Sequence, residues 1–190
     1  KAKTTTVKAE EKAEVLNEIS DKAEFDQGVR NTLDTYYTKN DTAGVRAFSE
    51  NIDSRADTIV SDYASAATER SKSESSLGYK TGQICVVTKK SVTKAQLKAI
   101  AEKYRGELVS VTELSDTENF AVLKLSLEYT TDKALSLIEN NEKDIEYVQK
   151  DNLYKLTDEE SYDTTALVNL AFDNEANSST AADNSLSKKA

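Results

Sequence analysis

Residues 79–156 read "YKTGQICVVTKKSVTKAQLKAIAEKYRGELVSVTELSDTENFAVLKLSLEYTTDKALSLIENNEKDIEYVQKDNLYKL", and their periodicity decides the fold. "QICVVTK" (83–89) is a continuous β-branched run, the pattern of a buried strand, with Cys85 inside it. "VTKAQLKAIAEKYRG" (92–106) changes to helical spacing: Leu97, Ile100, Ala101 and Tyr104 share a face, Thr93 is placed to cap the start, and Gly106 follows the end. "ELVSVTEL" (107–114) gives a second strand and "SDTEN" (115–119) a turn. "FAVLKLSL" (120–127) alternates Phe120, Val122 and Lys124 against Ala121, Leu123 and Leu125, as a third strand does. "TTDKALSLIENNEK" (130–143) starts with a Thr or Asp cap and turns Ala134, Leu135 and Ile138 inward. "IEYVQKDNLYKL" (145–156) is the fourth strand and an extension of it. The order β-α-β-β-α-β predicts an α+β, ferredoxin-like domain, a four-stranded antiparallel sheet with both helices on one face and the other face uncovered.

The last stretch is unusual. Its apolar alternation weakens at Lys150, Asp151 and Asn152, yet no Gly or Pro stops it, and Leu153, Tyr154 and Leu156 restore apolar character. The expectation is a strand that leaves its own sheet near Asp151 and continues extended.

Working outward, residues 1–76 read as a helical region, a hairpin or three-helix unit. Phe25, Val29, Leu33 and Tyr36 make one apolar stripe, and Val45, Phe48, Ile52, Ile59 and Tyr63 another. Asp21 and Asp41 are placed as caps, "KNDTAG" is a break, and Val15, Leu16 and Ile19 mark a shorter preceding helix. "ERSKSESSLG" (69–78) reads as a polar, Ser-rich linker. The expected divisions are therefore 1–76 helical, 77–156 βαββαβ, and 157–190 an acidic linker or processing segment. In the last, seven acidic residues stand against Lys188 and Lys189, and only "ALVNLAF" (166–172) is apolar.

Composition narrows function. The formal net charge of −9 disfavours binding to nucleic acid or to an anionic membrane. No apolar run is long enough to span a bilayer. With no His, the 190 residues hold no Ser-His-Asp or Cys-His arrangement and no His-dependent zinc site. The single Cys85 excludes an intramolecular disulfide and a paired-cysteine metal loop, so no metal site and no cofactor are expected. The absence of Met implies an upstream segment, a signal peptide or a longer parent chain.

Fold alone does not choose a function. The ordered series within 79–156, however, resembles the propeptide of secreted bacterial subtilisin-like serine proteases. The resemblance rests on an "ICVVTK"-type first strand, a helix ending in "YRGELV", an apolar hairpin of the "FAVLKLS" kind, and "DIEYVQKDNLYKL", which is similar to the family's "x-V-x-Y-V-E-x-D" element. It implies a non-catalytic chain, acting as intramolecular chaperone and active-site inhibitor of a cognate protease domain that carries the triad, and located outside the cell or at its surface. It implies that the uncovered sheet face packs on two protease helices, whose N-termini are capped by acids at the end of the last strand. Asp151 matches one such acid, and Gln149 stands where a Glu is common, keeping the acceptor without the charge. It implies that Leu153, Tyr154, Lys155, Leu156 and Thr157 lie product-like in the substrate cleft, with Tyr154 fourth before the cut, Leu156 second and Thr157 last. Compact propeptides end at this point, whereas 33 residues follow here, so processing is expected at Thr157 or at Ala190. The resemblance assigns no role to residues 1–76. Two other readings stay open from the residues alone: a non-catalytic extracellular binding or surface module, and a small-ligand regulatory domain.

Overall fold

A computed structural model describes residues 2–154. Its helices are α1 (Ala2–Asn17), α2 (Lys22–Thr38), α3 (Thr42–Asn51), α4 (Asp57–Arg70), α5 (Glu74–Leu77), α6 (Lys94–Lys103) and α7 (Thr131–Asn141). Its strands are β1 (Tyr79–Lys89), β2 (Glu107–Glu113), β3 (Glu118–Lys124) and β4 (Ile145–Asn152), and a single 3₁₀ turn covers Ser54–Ala56.

The sheet is antiparallel, in the order β2-β3-β1-β4, which is the ferredoxin-like arrangement. Ile84 and Val86 of β1, Ala121 and Leu123 of β3 and Val148 of β4 point to one side. There they pack against Leu97, Ile100 and Ala101 of α6 and Ala134 and Ile138 of α7. α6 begins with a full capping box: the Thr93 hydroxyl accepts from the Gln96 N–H, and the Gln96 side chain accepts from the Thr93 N–H. Thr130, not Asp132, caps α7, accepting from the Lys133 N–H at 3.2 Å.

The end of α6 departs from the sequence reading. The residue in the left-handed region is Arg105 (φ 57°), while Gly106 is small for another reason. A Cβ there would lie 2.3 Å from the Lys124 carbonyl oxygen, so Gly106 permits close approach of two backbones.

Residues 2–70 form a second core. Phe25, Val29 and Leu33 of α2 meet Ala47 and Phe48 of α3 and Ile59 and Tyr63 of α4. Asp21 caps α2 through the Glu24 N–H and Asp41 caps α3 through the Gly44 N–H. The first helix is longer than Val15, Leu16 and Ile19 indicate. It buries Ala9, Ala13 and Leu16, while Val15 faces solvent. The region is thus four helices and a 3₁₀ turn, not a hairpin or three-helix unit.

The largest correction falls on residues 69–78. They are not a linker: Glu69 and Arg70 are the last turn of α4, and residues 74–77 are helical again. The reason is tertiary. Glu69 is only 8 % exposed and accepts from the Thr131 N–H at 2.8 Å, at the N-terminus of α7. Arg70 donates to the carbonyls of Ser126, Leu127 and Tyr129 at 3.0, 3.0 and 3.2 Å. Burial pulls its guanidinium below its ordinary pKa. These polar groups sit where the segment 125–129 passes between the cores: Leu125 belongs to the sheet's core and Leu127 packs against the helical one.

A charged cluster completes the joint. Arg30 of α2 makes a forked contact to Glu128 at 2.9 and 3.1 Å, and Arg105 reaches both Asp34 and Glu128. Tyr63 donates to Asp34 at 2.5 Å and stacks on Tyr37. Burial first, and the Asp34 carboxylate second, hold the Tyr63 phenol far above its ordinary pKa. A carboxylate as buried as Glu128 is tolerated only with such partners.

Candidate functional site

The candidate site is the end of β4 and the sheet face it shares with β1. Register fixes that face. Cys85 lies opposite Val122 on one side and Gln149 on the other, and Val87 lies opposite Phe120 and Tyr147. None of these belongs to the core under the helices. Tyr147 is 47 % exposed, and Phe120, Val122 and Gln149 are half-buried. On β2 a register shift between Leu108 and Ser110 leaves Val109 53 % exposed. The face is therefore apolar and accessible at its edges, with a buried stripe down the middle.

Gln149 and Asp151 project on this face by alternation with Val148, which is in the core. Asp151 is paired within the chain: its carboxylate lies 3.3 Å from the Lys80 ammonium. Both Asp151 and Lys80 lie close enough to Cys85 to act on its thiol. Burial is the main cause that pushes the thiol up to about 12, with Asp151 adding to it and Lys80 opposing. Cys85 is an inert, buried thiol at neutral pH.

The strand stays in its sheet one to two residues past Asp151, where the sequence reading marks the exit. β4 runs to Asn152, which pairs with Tyr79, and the Leu153 N–H donates to the Gly78 carbonyl at 2.8 Å. β1 correspondingly begins at Tyr79, four residues earlier than "QICVVTK" indicates. The signal that hid this is an irregularity. Between the pairs Tyr79↔Asn152 and Ile84↔Lys150, residues 80–83 of β1 stand against Asp151 alone. Gly82, at φ 69°, makes that bend, with its N–H donating to the Thr131 hydroxyl at 2.9 Å. A Cβ on Gly82 would sit 2.7 Å from an Arg70 nitrogen.

Beyond the last pair, Leu153 and Tyr154 are exposed. Lys155, Leu156 and Thr157, and both candidate processing ends, Thr157 and Ala190, lie outside the described residues. The arrangement presents an extended strand end beside an apolar sheet face. Among the described residues no group of three or more His, Cys, Asp or Glu is placed to hold a metal ion. No described helix is long and apolar enough to cross a membrane.

No curated protein and no solved structure matches the chain. A family model does: that of the fervidolysin N-terminal prodomain, over residues 65–151. The match begins inside α4, so it takes in Glu69 and Arg70 as well as the whole β-α-β-β-α-β series up to Asp151. Residues 65–151, less than half of the chain, match the fervidolysin N-terminal prodomain family, which supports kinship with the propeptides of subtilisin-like proteases.

Proposed function

We propose that the chain is the intramolecular chaperone and active-site inhibitor of a cognate subtilisin-like serine protease, secreted or held at the cell surface, with the triad on the protease domain. The observation that carries this reading is that β4, an edge strand of the sheet, stays paired beyond the bulge as far as Leu153, with Tyr154 exposed after it. A strand presented in this way is suited to add to a partner's sheet, drawing affinity from main-chain hydrogen bonds and selectivity from alternate side chains. Leu153, Tyr154, Lys155, Leu156 and Thr157 supply those side chains, with Tyr154 and Leu156 in pockets and the cut at Thr157 or at Ala190.

The open face with Val109, Phe120, Val122 and Tyr147 supplies apolar area for docking. Gln149 and Asp151 stand at its tail end, where acceptors satisfy the unpaired N–H groups of protease helices. A template that binds only the native-like protease stabilises it and the approach to it, which counts most for a slow fold rich in distant contacts. Degradation of the template then releases activity.

The test is inhibition in trans of purified mature subtilisin-like proteases, fervidolysin's among them, followed by refolding of the acid-denatured inhibited enzyme with and without the chain. Competitive sub-micromolar inhibition and faster recovery of activity are expected. No inhibition and no acceleration with any of them would leave the chain a binding module and refute the proposal.

A further inference from the structure

The tail is gripped twice. The first grip is the regular ladder between Ile84 and Val87 of β1 and Tyr147 to Lys150 of β4. The second lies beyond the bulge, where Asn152 pairs with Tyr79 and the Leu153 N–H bonds to the Gly78 carbonyl. The two are separated by the irregular segment 80–83, so the first cannot fix the direction of the chain after Asp151. The second grip has its own support. The Tyr79 phenol donates to Glu69 Oε1 at 2.9 Å, and Glu69 Oε2 accepts from the Thr131 N–H at 2.8 Å. Burial first, and the Glu69 carboxylate second, hold the Tyr79 phenol above its ordinary pKa, which keeps it a donor. Over the ring, the Lys150 ammonium lies 4.2 Å from its centroid and is itself held by Asp132 at 2.7 Å.

We propose that Glu69, at the end of the helical region, is a positioning residue for the inhibitory tail: through Tyr79 it sets the direction in which residues 153 and 154 leave the sheet. This gives the end of α4 a role that the strands cannot fill alone. It rests on the tail-in-cleft reading above for its consequence, but the grip exists without a protease. Ordering the exit before binding removes that cost from the complex. Leaving the backbone of one residue unfixed would weaken inhibition roughly five- to thirty-fold.

The experiment uses the full 190-residue chain with two substitutions. Tyr79→Phe removes the bond to Glu69 and leaves the α7 contact intact. Glu69→Gln keeps both bonds, its carbonyl accepting from Thr131 and its amide donating to the Tyr79 oxygen. Amide exchange is read at Leu153, with Val86 as the core control, and inhibition is read on the protease that the wild-type chain inhibits most tightly. The expected result is faster exchange at Leu153 with Val86 unchanged and about tenfold weaker inhibition in Tyr79→Phe, with Glu69→Gln close to wild type. Unchanged Leu153 exchange in Tyr79→Phe overturns the proposal, as does an equal acceleration at Val86, which would make the bond a general stabiliser. If the wild-type chain inhibits no protease, the function proposed above fails, and the exchange measurement still decides the grip.

Discussion

The Lys80 ammonium and the Asp151 carboxylate lie 3.3 Å apart, one on β1 and one on β4, on the sheet face away from α6 and α7. The acid proposed to cap a protease helix is therefore already paired within the chain, and the proposed docking would exchange or extend that pair. A charge-assisted bond to backbone N–H groups at a helix start contributes about 1–2 kcal/mol. Asp151→Asn is expected to weaken inhibition about tenfold, while Lys80→Met, which removes a competitor, should leave it unchanged or strengthen it a few-fold, ~1 kcal/mol at most. Inhibition constants for the two variants at low and moderate salt check this. Equal weakening by both would show that the Lys80–Asp151 pair acts as a unit.

Glu128 is 2 % exposed and is shared by Arg30 and Arg105, which come from the two sides of the joint. Removing one partner of a buried ion pair costs more than the pair contributes, because the other charge is left behind. Glu128→Ala is expected to destabilise by about 3 kcal/mol, seen in urea as a lower midpoint at unchanged slope. A change of less than ~0.5 kcal/mol would mean that solvent carries the two arginines without Glu128.

Three glycines separate strain from crowding. Gly78 has φ 78° and open space, with nothing within 4 Å of where a Cβ would stand. Gly82 has φ 69° with Arg70 in the way, and Gly106 has backbone in the way. Gly78→Ala should cost only the left-handed conformation, about 1–2 kcal/mol. Gly82→Ala adds displacement of Arg70 from its three carbonyls, and Gly106→Ala must force β3 away from the end of α6. Thermal denaturation should therefore rank Gly78→Ala mildest, and the reverse order would contradict the assigned contacts.

Cys85 predicts a pH dependence. Its thiol is pushed from an ordinary 9.0 up to about 12 in the folded chain, mainly by burial. As pH rises through 9, the unfolded chain releases this proton first, so the folded state holds more protons and stability falls. The contribution is fully present below about pH 9 and is lost progressively between there and about 12. Relative to Cys85→Ala, the wild-type chain should lose up to about 1.4 kcal/mol per pH unit above 9. Urea denaturation of both proteins at pH 7.5 and 10 measures this, and a constant difference would show that the thiol is not buried.

Much of the fold is legible in the residues because local pattern and tertiary need agree there. Leu97, Ile100, Ala101 and Tyr104 are spaced for one helix face and are buried on it, and Thr93 is both a good cap and a used one. The joint is not legible. Glu69 and Arg70 stand among serines and look solvated, and it is the carbonyls of Ser126, Leu127 and Tyr129 and the Thr131 N–H, about sixty residues away, with the nearer Tyr79 phenol, that hold them inside. α1 reads short because its inward face is largely alanine, Ala9 and Ala13, which carries little hydrophobic signal. At the candidate site, the alternation that puts Asp151 and Gln149 on the open face is readable. The second grip at Gly78 and Tyr79 is not, because the bulge at 80–83 breaks the period that would reveal it.

The inhibitory function proposed for the tail depends on the segment after β4 entering a protease cleft. Inhibition of one subtilisin-like protease by the full chain is therefore to be compared with inhibition by a chain ending at Leu153, which keeps the whole ladder and the bond to Gly78. Retained circular dichroism and melting temperature would show that the shorter chain still folds. Competitive inhibition by the full chain is expected, with a loss of about a hundredfold or more in the shorter one, the worth of several strand-like bonds and two filled pockets. Equal inhibition by the two chains would mean that the tail does not occupy the cleft.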